Sequence, residues 1–447
     1  MTKAVVIHPV THGEGARSPE AKLEEAAGLA AAIDLEVVLA ALAPVNRPTP
    51  ATFLGQGKVQ EILADLDERD PRPGLVIVDH ALSPVQHRNL EKAWNAKVLD
   101  RTALILEIFG ERARTAEGRL QVDLAHLSYQ RSRLVRSWTH LERQRGGRGF
   151  LGGPGERQIE SDRRALAEKI DRLKEKLEDV RRTRSLQRSR RQRAPYPVVA
   201  LVGYTNAGKS TLFNRMTASD VLAKDLLFAT LDPTLRAADL ASGQRIILSD
   251  TVGFISDLPT QLVAAFRATL EEVLEADVIV HVRDIAHPDS EAQRDDVLDV
   301  LGSLGIGPED ERPIIEALNK IDLLDHERRS AAQVLARRTQ DREVFTLSEP
   351  AQVAISAANG EGVAELESLI DRLVTADRRV FSIEVPGGDV RARAFLHEVG
   401  DVLSEESDED RARLLVRLTE KSRGQFAKSF PEAVLTIPAA AAARRSA

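Results

Sequence analysis

Short apolar runs alternate with amphipathic segments along the first hundred residues. The apolar runs predict buried strands at residues 4–7, 35–41, 75–79 and 97–99. Apolar positions at helical spacing predict helices at residues 20–33, 58–69 and 85–94. Strands that alternate with helices in this way predict a small parallel α/β unit, which we place at residues 1–115.

The next unit, residues 116–194, carries two heptad patterns of apolar residues. They consist of Leu120, Leu124, Leu127, Leu134, Trp138 and Leu141, and of Ile159, Leu166, Ile170, Leu173, Leu177 and Val180. Each pattern predicts a long helix with one apolar seam. Residues 146–156 between them are rich in glycine, which helix interiors disfavour. The two helices are therefore predicted to form an antiparallel hairpin with a flexible tip.

Two further units follow. Strand and helix signals alternate again over residues 195–377. Residues 378–447 predict a small α+β domain with strands at 381–385 and 414–418, a helix between them and an alanine-rich tail at 439–447.

Composition narrows the classes of function. The 447 residues include no cysteine, which excludes disulfides, thiolate catalysis and cysteine-ligated zinc or iron–sulfur clusters. No apolar stretch approaches the ~18 residues that span a bilayer, and the run at 4–7 is too short for a signal peptide. We therefore expect a cytoplasmic protein with no integral membrane association.

Charge is distributed unevenly along the chain. The formal net charge is −7, yet residues 111–193 hold 23 Lys and Arg against 12 Asp and Glu. This basic segment indicates either a face built for a polyanion or a solvated pair of charged helices.

The chemistry concentrates in the third unit, where an apolar strand at 198–202 leads into a glycine-rich loop. The loop consists of Gly203, Tyr204, Thr205, Asn206, Ala207, Gly208, Lys209 and Ser210, which matches G-x-x-x-x-G-K-[ST]. Backbone N–H groups of such a loop close around a phosphate chain at a helix N-terminus. Lys209 is then expected to reach the β- and γ-phosphates, and the Ser210 hydroxyl to ligate Mg²⁺.

A strand at 246–249 delivers a second phosphate motif. It leads into Asp250, Thr251, Val252 and Gly253. An Asp at a strand end can hold Mg²⁺ directly or through water, and the Gly253 N–H can bond a γ-phosphate.

Two later loops indicate that the base is guanine. A strand at 313–318 ends in Asn319, Lys320, Ile321 and Asp322, and a strand at 353–355 leads to Ser356 and Ala357. A carboxylate at Asp322 accepts the N1 and exocyclic N–H donors of guanine, a pair that adenine lacks. Lys320 can pack its methylenes on the base, Asn319 can steady the loops, and the Ala357 N–H can meet guanine O6.

In this order the motifs resemble the GTPase superfamily and, more closely, the HflX family of ribosome-associated GTPases. The residues that carry the closer resemblance are Phe228, Ala229, Thr230, Leu231, Asp232, Pro233 and Thr234, then Asp250 to Ile255, and the loop at 152–156. It covers about residues 20–375. The fold class it implies is α/β: a small N-terminal α/β unit plus an antiparallel long-helix hairpin, a central Ras-like P-loop GTPase domain and a small C-terminal α+β domain.

The resemblance also implies an activity. It implies Mg²⁺-dependent hydrolysis of GTP to GDP and phosphate, in a switch that associates with the large ribosomal subunit and its RNA in ribosome splitting, rescue or recycling. Thr230 is then the switch threonine, which gives its hydroxyl to Mg²⁺ and its N–H to the γ-phosphate, with Thr234 as the alternative. The GTP-binding set includes residues 228–232. Lys209, Thr230 and Gly253 are the expected catalytic residues, and Ser210, Thr230 and Asp250 the expected metal ligands.

One position departs from Ras-type enzymes, which place a water-orienting glutamine after the Asp-x-x-Gly turn. Here that residue is Phe254, a replacement that the HflX family shares. A phenyl ring cannot align water, so the water has to be placed by the backbone, by another switch residue or by the bound partner.

The hairpin tip supplies candidate RNA contacts. Arg143, Arg145 and Arg148 can pair with phosphates, and Phe150 can stack on an unpaired base. A passive glycine turn is the alternative.

Two other functions remain open at this stage. One is an ATP-dependent RNA-remodelling or ribosome-assembly factor that uses the N-terminal unit, although residues 53–58 lack the phosphate-loop spacing and predict a helix start. The other is a signalling switch whose heptad helices dock a protein. His8, His12 and His87 lack metal-ligand spacing and are predicted to be surface histidines. A monomer is expected.

Overall fold

The computed structural model describes residues 2–11, 17–144, 154–191, 196–218, 228, 234–256, 270, 272–307, 309–310, 312–340, 345–376, 378–408 and 410–436. Within these ranges, the backbone alone is described at residues 134–144, 154–160, 162, 181, 183–191, 378, 401 and 420–421. No helix in this part of the chain combines the length and the apolarity needed to cross a membrane.

The N-terminal unit is a parallel sheet with helices. Its strands are β1 (Thr2–Thr11), β2 (Leu35–Val45), β3 (Leu75–Val78) and β4 (Lys97–Asp100), in the order β2-β1-β3-β4. Its helices are α1 (Pro19–Ala31), α2 (Gln56–Asp67), α3 (Pro84–Trp94) and α4 (Arg101–Arg112). The predicted α/β unit is confirmed, and α4 is an element that the sequence pattern did not predict.

Local capping explains where these helices begin. Ser83 and Gln86 form a capping box at α3, and the Asp100 carboxylate accepts the N–H of Ala103 at 2.8 Å in the first turn of α4. Gly55 is the N-cap of α2, so residues 53–58 are a helix start, as predicted.

The expectation of surface histidines is wrong for His8. This residue is buried at the carboxyl end of the central strand β1, and its Nδ1 lies 2.8 Å from Asp79 Oδ2 just beyond β3. The carboxylate compensates the polarity of the ring, which is why a histidine can stand there. His87 is half-buried, with Nε2 2.7 Å from the Val98 oxygen, and His12 lies outside the described residues.

The predicted pair of long helices is confirmed as α5 (Ala116–Gln144) and α6 (Pro154–Arg191), which pack on each other. Ile170 and Leu177 of the predicted seam are buried. Among the side chains described on α5, those of residues 116–133, the buried apolar ones are Val122 and Ala125, and the predicted seam residues Leu120, Leu124 and Leu127 are half-buried. This helix also packs on α4. The other seam residues, Leu134, Trp138 and Leu141, lie where only the backbone is described.

The helix α6 begins inside the segment that was predicted to be the hairpin tip. Its first residue is Pro154, and proline suits the first position of a helix because the missing N–H has no partner there in any case. The rest of the predicted tip, residues 146–153, lies outside the described residues.

The central sheet carries the predicted motifs. Its strands are β5 (Val198–Val202), β6 (Thr234–Asp239), β7 (Arg245–Asp250), β8 (Val278–Asp284), β9 (Ile314–Asn319) and β10 (Ala351–Ala354), in the order β10-β9-β8-β5-β7-β6. Only the β6–β7 pair is antiparallel among these neighbours. Around it lie α7 (Lys209–Thr217), α8 (Ser290–Ser303), α9 (His326–Gln340), α10 (Val363–Thr375) and a 3₁₀ turn at Ile321–Leu323. The carboxyl ends of parallel strands share one edge, where ligands bind in open α/β sheets.

The C-terminal unit is an antiparallel sheet with two described helices. It contains β11 (Arg378–Pro386), α11 (Val390–Val399), β12 (Asp401–Ser407), β13 (Arg411–Thr419), α12 (Glu420–Ser429) and β14 (Val434–Thr436), with strand order β12-β13-β11-β14. The predicted α+β class is confirmed. Arg417 of β13 donates to Gln244 Oε1 at 2.9 Å, which ties this sheet to the β6–β7 turn.

Candidate nucleotide-binding site

The glycine-rich loop joins the buried strand β5 to the first turn of α7. Asn206 and Gly208 have positive φ angles of 59° and 95°, so the chain turns tightly there. Turns of this kind form anion-binding concavities from consecutive backbone N–H groups. The helix that follows begins at Lys209, so its unsatisfied N-terminal N–H groups and its dipole favour an anion in the same place.

Lys209 is held inside this loop. Its Nζ donates to the main-chain oxygens of Gly203 and Tyr204 at 3.0 and 2.8 Å, and the residue is buried. Burial lowers the pKa of Lys209 to about 8, although Asp250 opposes this effect. The ammonium group is therefore positioned by backbone before any ligand arrives.

Ser210 and Asp250 place two oxygen donors side by side. The Ser210 hydroxyl donates to Asp250 Oδ2 at 2.7 Å, and Asp250 is fully buried at the end of β7. Mg²⁺ prefers oxygen ligands and is commonly held by one or two protein groups together with phosphates and water. The donor set therefore fits Mg²⁺. The third expected ligand, Thr230, lies outside the described residues.

Gly253 packs directly against the glycine-rich loop. A Cβ atom at this position would lie 2.9 Å from Thr205 Cα and 3.0 Å from Lys209 Nζ. No side chain fits there without moving the loop or the lysine. Its neighbour Thr251 is fully buried and donates its hydroxyl to the Leu201 oxygen at 2.6 Å, so that side chain serves the sheet.

Phe254 continues the contact with the loop through its backbone. Its N–H donates to the Gly203 oxygen at 3.1 Å, and its oxygen accepts the Thr205 N–H at 2.8 Å. The ring is 1% exposed and belongs to the apolar core between this sheet and the N-terminal unit. The residue that replaces glutamine is therefore a core residue.

Asn319 joins two of the predicted loops. Its Nδ2 donates to the Ala207 oxygen at 2.7 Å, and its Oδ1 accepts the Ala357 N–H at 2.9 Å. A Cβ atom on Gly208 would lie 2.2 Å from Asn319 Nδ2, so a glycine is required where the amide crosses. The predicted role of Asn319 as a link between loops matches this geometry.

The remaining guanine candidates lie on the same edge. Asp322 is exposed in the 3₁₀ turn, where its carboxylate is accessible, and Ile321 beside it is fully buried. Lys320 has a φ of 67°, and its Nζ lies 2.7 Å from Asp284 Oδ2 at the end of β8. Ser356 is fully buried in the loop after β10.

The segment at 228–232 is described at one residue only. Phe228 is buried, and its ring meets Phe109 of α4 edge-on with the centroids 4.7 Å apart. Ala229, Thr230, Leu231 and Asp232 lie outside the described residues, as do Arg145, Arg148 and Phe150 of the RNA candidates. Arg143 lies on α5, where only the backbone is described.

Sequence reasoning missed three residues that shape the site. Asp284 had a usable signal, since an acidic residue ends an apolar strand there as Asp250 does. Arg215 donates to the Ala357 oxygen at 2.8 Å, and Ser256 accepts bonds from Arg101 of the N-terminal unit. Neither carries a local signal, because the partners are 142 and 155 residues away along the chain.

Four features together define a P-loop GTPase. They are a parallel-rich sheet and, on one edge of it, a glycine-rich loop that encloses a lysine, a serine–aspartate pair and an asparagine that links two loops. Three family models match the chain: "GTP-binding GTPase N-terminal" over residues 20–110, "GTP-binding GTPase Middle Region" over 112–191, and "50S ribosome-binding GTPase" over 198–320. The protein hydrolyses GTP.

Similarity to individual proteins identifies the family within the P-loop GTPases. A GTPase HflX of Magnetococcus marinus is 49% identical over 404 residues, which are 90% of this chain and 89% of the relative. The GTPase HflX of Escherichia coli is 41% identical over 388 residues, 87% of each chain. The chain belongs to the HflX family of GTPases. The crystal structure of an SsGBP and GDP complex shares the fold, with a TM-score of 0.50 and 24% identity over 84% of this chain and 99% of that one.

Proposed function

We propose that GTP binds along the carboxyl edge of the central sheet with its phosphates in the loop at 203–210. Lys209 contacts the β- and γ-phosphates, and the main-chain N–H of Gly253 bonds the γ-phosphate. The observation that carries this proposal is the close approach of Gly253 to Lys209, since a Cβ atom on Gly253 would lie 3.0 Å from Lys209 Nζ. Two groups that bind the same phosphate have to lie close together. Burial and two main-chain oxygens hold the lysine in place beforehand.

Ser210 and Asp250 are the proposed protein ligands of Mg²⁺, with Thr230 as a third. Bound there, Mg²⁺ offsets the charge that develops on the β- and γ-phosphate oxygens. The described residues contain no cluster of three or more His, Cys, Asp or Glu suited to a metal, which agrees with a site completed by phosphates and water.

Guanine is read by the loops after β9 and β10. The exposed Asp322 carboxylate accepts the N1 and exocyclic N–H donors, and the methylenes of Lys320 cover the base while its ammonium stays with Asp284. The Ala357 N–H, which bonds Asn319 at 2.9 Å, is shared with guanine O6. One N–H shared between two acceptors is a three-centre hydrogen bond, a geometry that occurs often at helix termini.

The partner we propose is the large ribosomal subunit, and the action is the splitting or rescue of ribosomes in the cytoplasm by a monomer. Support comes from the "50S ribosome-binding GTPase" model over 198–320 and from the basic segment at 111–193. That segment includes both long helices, and RNA phosphates are the polyanion that it fits. The tip residues Arg143, Arg145, Arg148 and Phe150 are the proposed RNA contacts.

Co-sedimentation with isolated subunits tests this function. We expect binding to the large subunit with a non-hydrolysable GTP analogue, weaker binding with GDP, and no comparable binding to the small subunit. A sucrose gradient of intact ribosomes, incubated with protein and GTP, should gain free subunits. Binding that ignores both nucleotide and subunit would contradict the proposal, and ATP-dependent binding would favour the remodelling factor.

A further inference from the structure

A buried polar cluster connects the N-terminal unit to the segment that follows Gly253. Arg101, the first residue of α4, donates to the main-chain oxygen of Ser256 at 3.0 Å and to its Oγ at 2.9 Å. The Ser256 N–H donates to the Tyr204 hydroxyl at 2.8 Å. Both main-chain polar groups of Ser256 are therefore bonded, one to the N-terminal unit and the other to the glycine-rich loop.

The positive charge of Arg101 is compensated by carboxylates within this cluster. Arg101 is buried and pairs with Asp79 at 2.6 Å and with Glu25 of α1, and Glu25 also accepts the Tyr204 hydroxyl. Burial by itself lowers the pKa of Arg101, but the two carboxylates outweigh it and raise the pKa above its usual value. The guanidinium is therefore always charged, and a charge-assisted bond to a main-chain oxygen is among the stronger kinds.

The helix α4 also contacts the segment at 228–232, which contains Thr230. Its Phe109 packs edge-on against Phe228, which begins the segment that contains Thr230. Arg101 and Phe109 thus bring one helix into contact with the residues that flank both expected γ-phosphate contacts. Neither contact touches the proposed base site or the Ser210–Asp250 pair.

We propose that Arg101 is a positioning residue for GTP hydrolysis, which acts by fixing the main chain of Ser256. The four-residue segment from Gly253 to Ser256 is then held at two points, at Phe254 by its main-chain bonds to Gly203 and Thr205 and at Ser256 by Arg101. A segment fixed in this way keeps the Gly253 N–H in place beside Lys209, where it serves the γ-phosphate. The inference rests on the proposed role of Gly253.

The consequence is specific for the third phosphate. GDP has no γ-phosphate, so its affinity does not depend on where Gly253 lies. The affinity for GTP and the rate of hydrolysis do depend on it, because small misplacements of a positioned group cost large factors in rate. If the cluster only joined the two units, its loss would change the stability of the protein and would leave the ratio of GTP to GDP affinity unchanged.

The test compares Arg101→Ala with Arg72→Ala in the full chain. Arg72 also pairs with a carboxylate, Asp67, and donates to a main-chain oxygen, that of Trp94, but it does so within the N-terminal unit. For each variant we measure single-turnover hydrolysis, the dissociation constants for GDP and for a non-hydrolysable GTP analogue, and the unfolding midpoint. Arg101→Lys, which retains a cation able to donate to oxygens, serves as the conservative variant.

We expect Arg101→Ala to lower the hydrolysis rate by about tenfold or more and to weaken the analogue relative to GDP, with partial recovery in Arg101→Lys. Arg72→Ala should keep the rate and the affinity ratio. The inference would be overturned if Arg101→Ala kept the hydrolysis rate and the affinity ratio of the unmodified chain, or if it hydrolysed GTP faster. Gly253→Ala tests the role of Gly253 separately from the role of Arg101. If Gly253→Ala hydrolyses GTP normally, the proposed role of Gly253 fails. If Gly253→Ala loses hydrolysis while Arg101→Ala hydrolyses GTP normally, only the positioning role of Arg101 is overturned.

Discussion

The side-chain amide of Asn319 donates to the main-chain oxygen of Ala207 across 2.7 Å, and so ties the loop that we propose reads the base to the loop that we propose holds the phosphates. The other end of the same amide accepts the N–H of Ala357. The proposed sites for the base and for the phosphates therefore share one side chain, Asn319. A substitution in either loop is expected to change the other through Asn319.

Guanine specificity should depend on Asp322. The change Asp322→Asn replaces an acceptor with a group that offers a donor, so GTP binding should weaken and binding of xanthosine triphosphate should improve. Unpaired buried polar groups can discriminate by ~10⁴-fold or more. Competition with a fluorescent nucleotide measures both affinities. Equal binding of ATP and GTP by the unmodified chain would contradict the assignment of the base site.

Nucleotide affinity should fall as the pH rises above about 8, which is the pKa to which burial lowers Lys209. Bound phosphates raise this pKa again, so above it each binding event takes up one proton. The affinity then drops by about tenfold for each pH unit. Titration of GDP binding from about pH 7 to about pH 9 measures the slope. Lys209→Arg, whose guanidinium stays charged, should bind with no such slope, and a flat profile in the unmodified chain would show that Lys209 is fully protonated throughout.

The requirement for Mg²⁺ should shift when Ser210 loses its hydroxyl. Ser210→Ala removes one of the three proposed oxygen ligands and the 2.7 Å hydrogen bond that its hydroxyl donates to Asp250. We expect the Mg²⁺ concentration for half-maximal hydrolysis to rise on the order of tenfold or more. Ser368→Ala serves as a control, because that hydroxyl bonds Ala364 within α10, away from the site. An unchanged Mg²⁺ requirement in Ser210→Ala would remove this residue from the metal site.

Much of this site follows from the sequence. Each phosphate or base motif comes directly after an apolar strand, and parallel strands bring such loops to one edge, so Lys209, Asp250 and Asn319 could be placed together in advance. The asparagine link and the serine–aspartate pair follow from the same regularity.

Polar contacts between residues far apart along the chain could not be predicted from the sequence. Tyr204 is a variable position in its motif, and nothing local shows that its hydroxyl bonds Glu25, which lies 179 residues earlier. The burial of His8 depends on Asp79 of another strand in the same way. On the described part of α5, Val122 and Ala125 are more buried than the predicted seam residues Leu120, Leu124 and Leu127, because this helix packs on α4, an element that the sequence pattern did not predict.

The hairpin tip should carry part of the ribosome affinity. A short Gly-Ser turn in place of residues 146–153 should leave GTP affinity intact, because the nucleotide site lies on the central sheet. It should weaken binding to the large subunit. Neutralising Arg143, Arg145 and Arg148 should flatten the dependence of log affinity on log salt by about one unit for each lost phosphate contact. Normal binding and splitting by the tip variant would make the hairpin a spacer.

The most direct measurement is single-turnover GTP hydrolysis with and without isolated large ribosomal subunits. Phe254 is a core residue 1% exposed, so this side chain cannot orient the attacking water. The protein by itself should therefore hydrolyse GTP at ~10⁻⁴ to 10⁻² per second, the range of unassisted switch GTPases. Large subunits should accelerate the reaction by completing the site, and small subunits should not. Fast hydrolysis by the protein on its own, unchanged by large subunits, would contradict the proposal that the ribosome is the partner that completes the catalytic site.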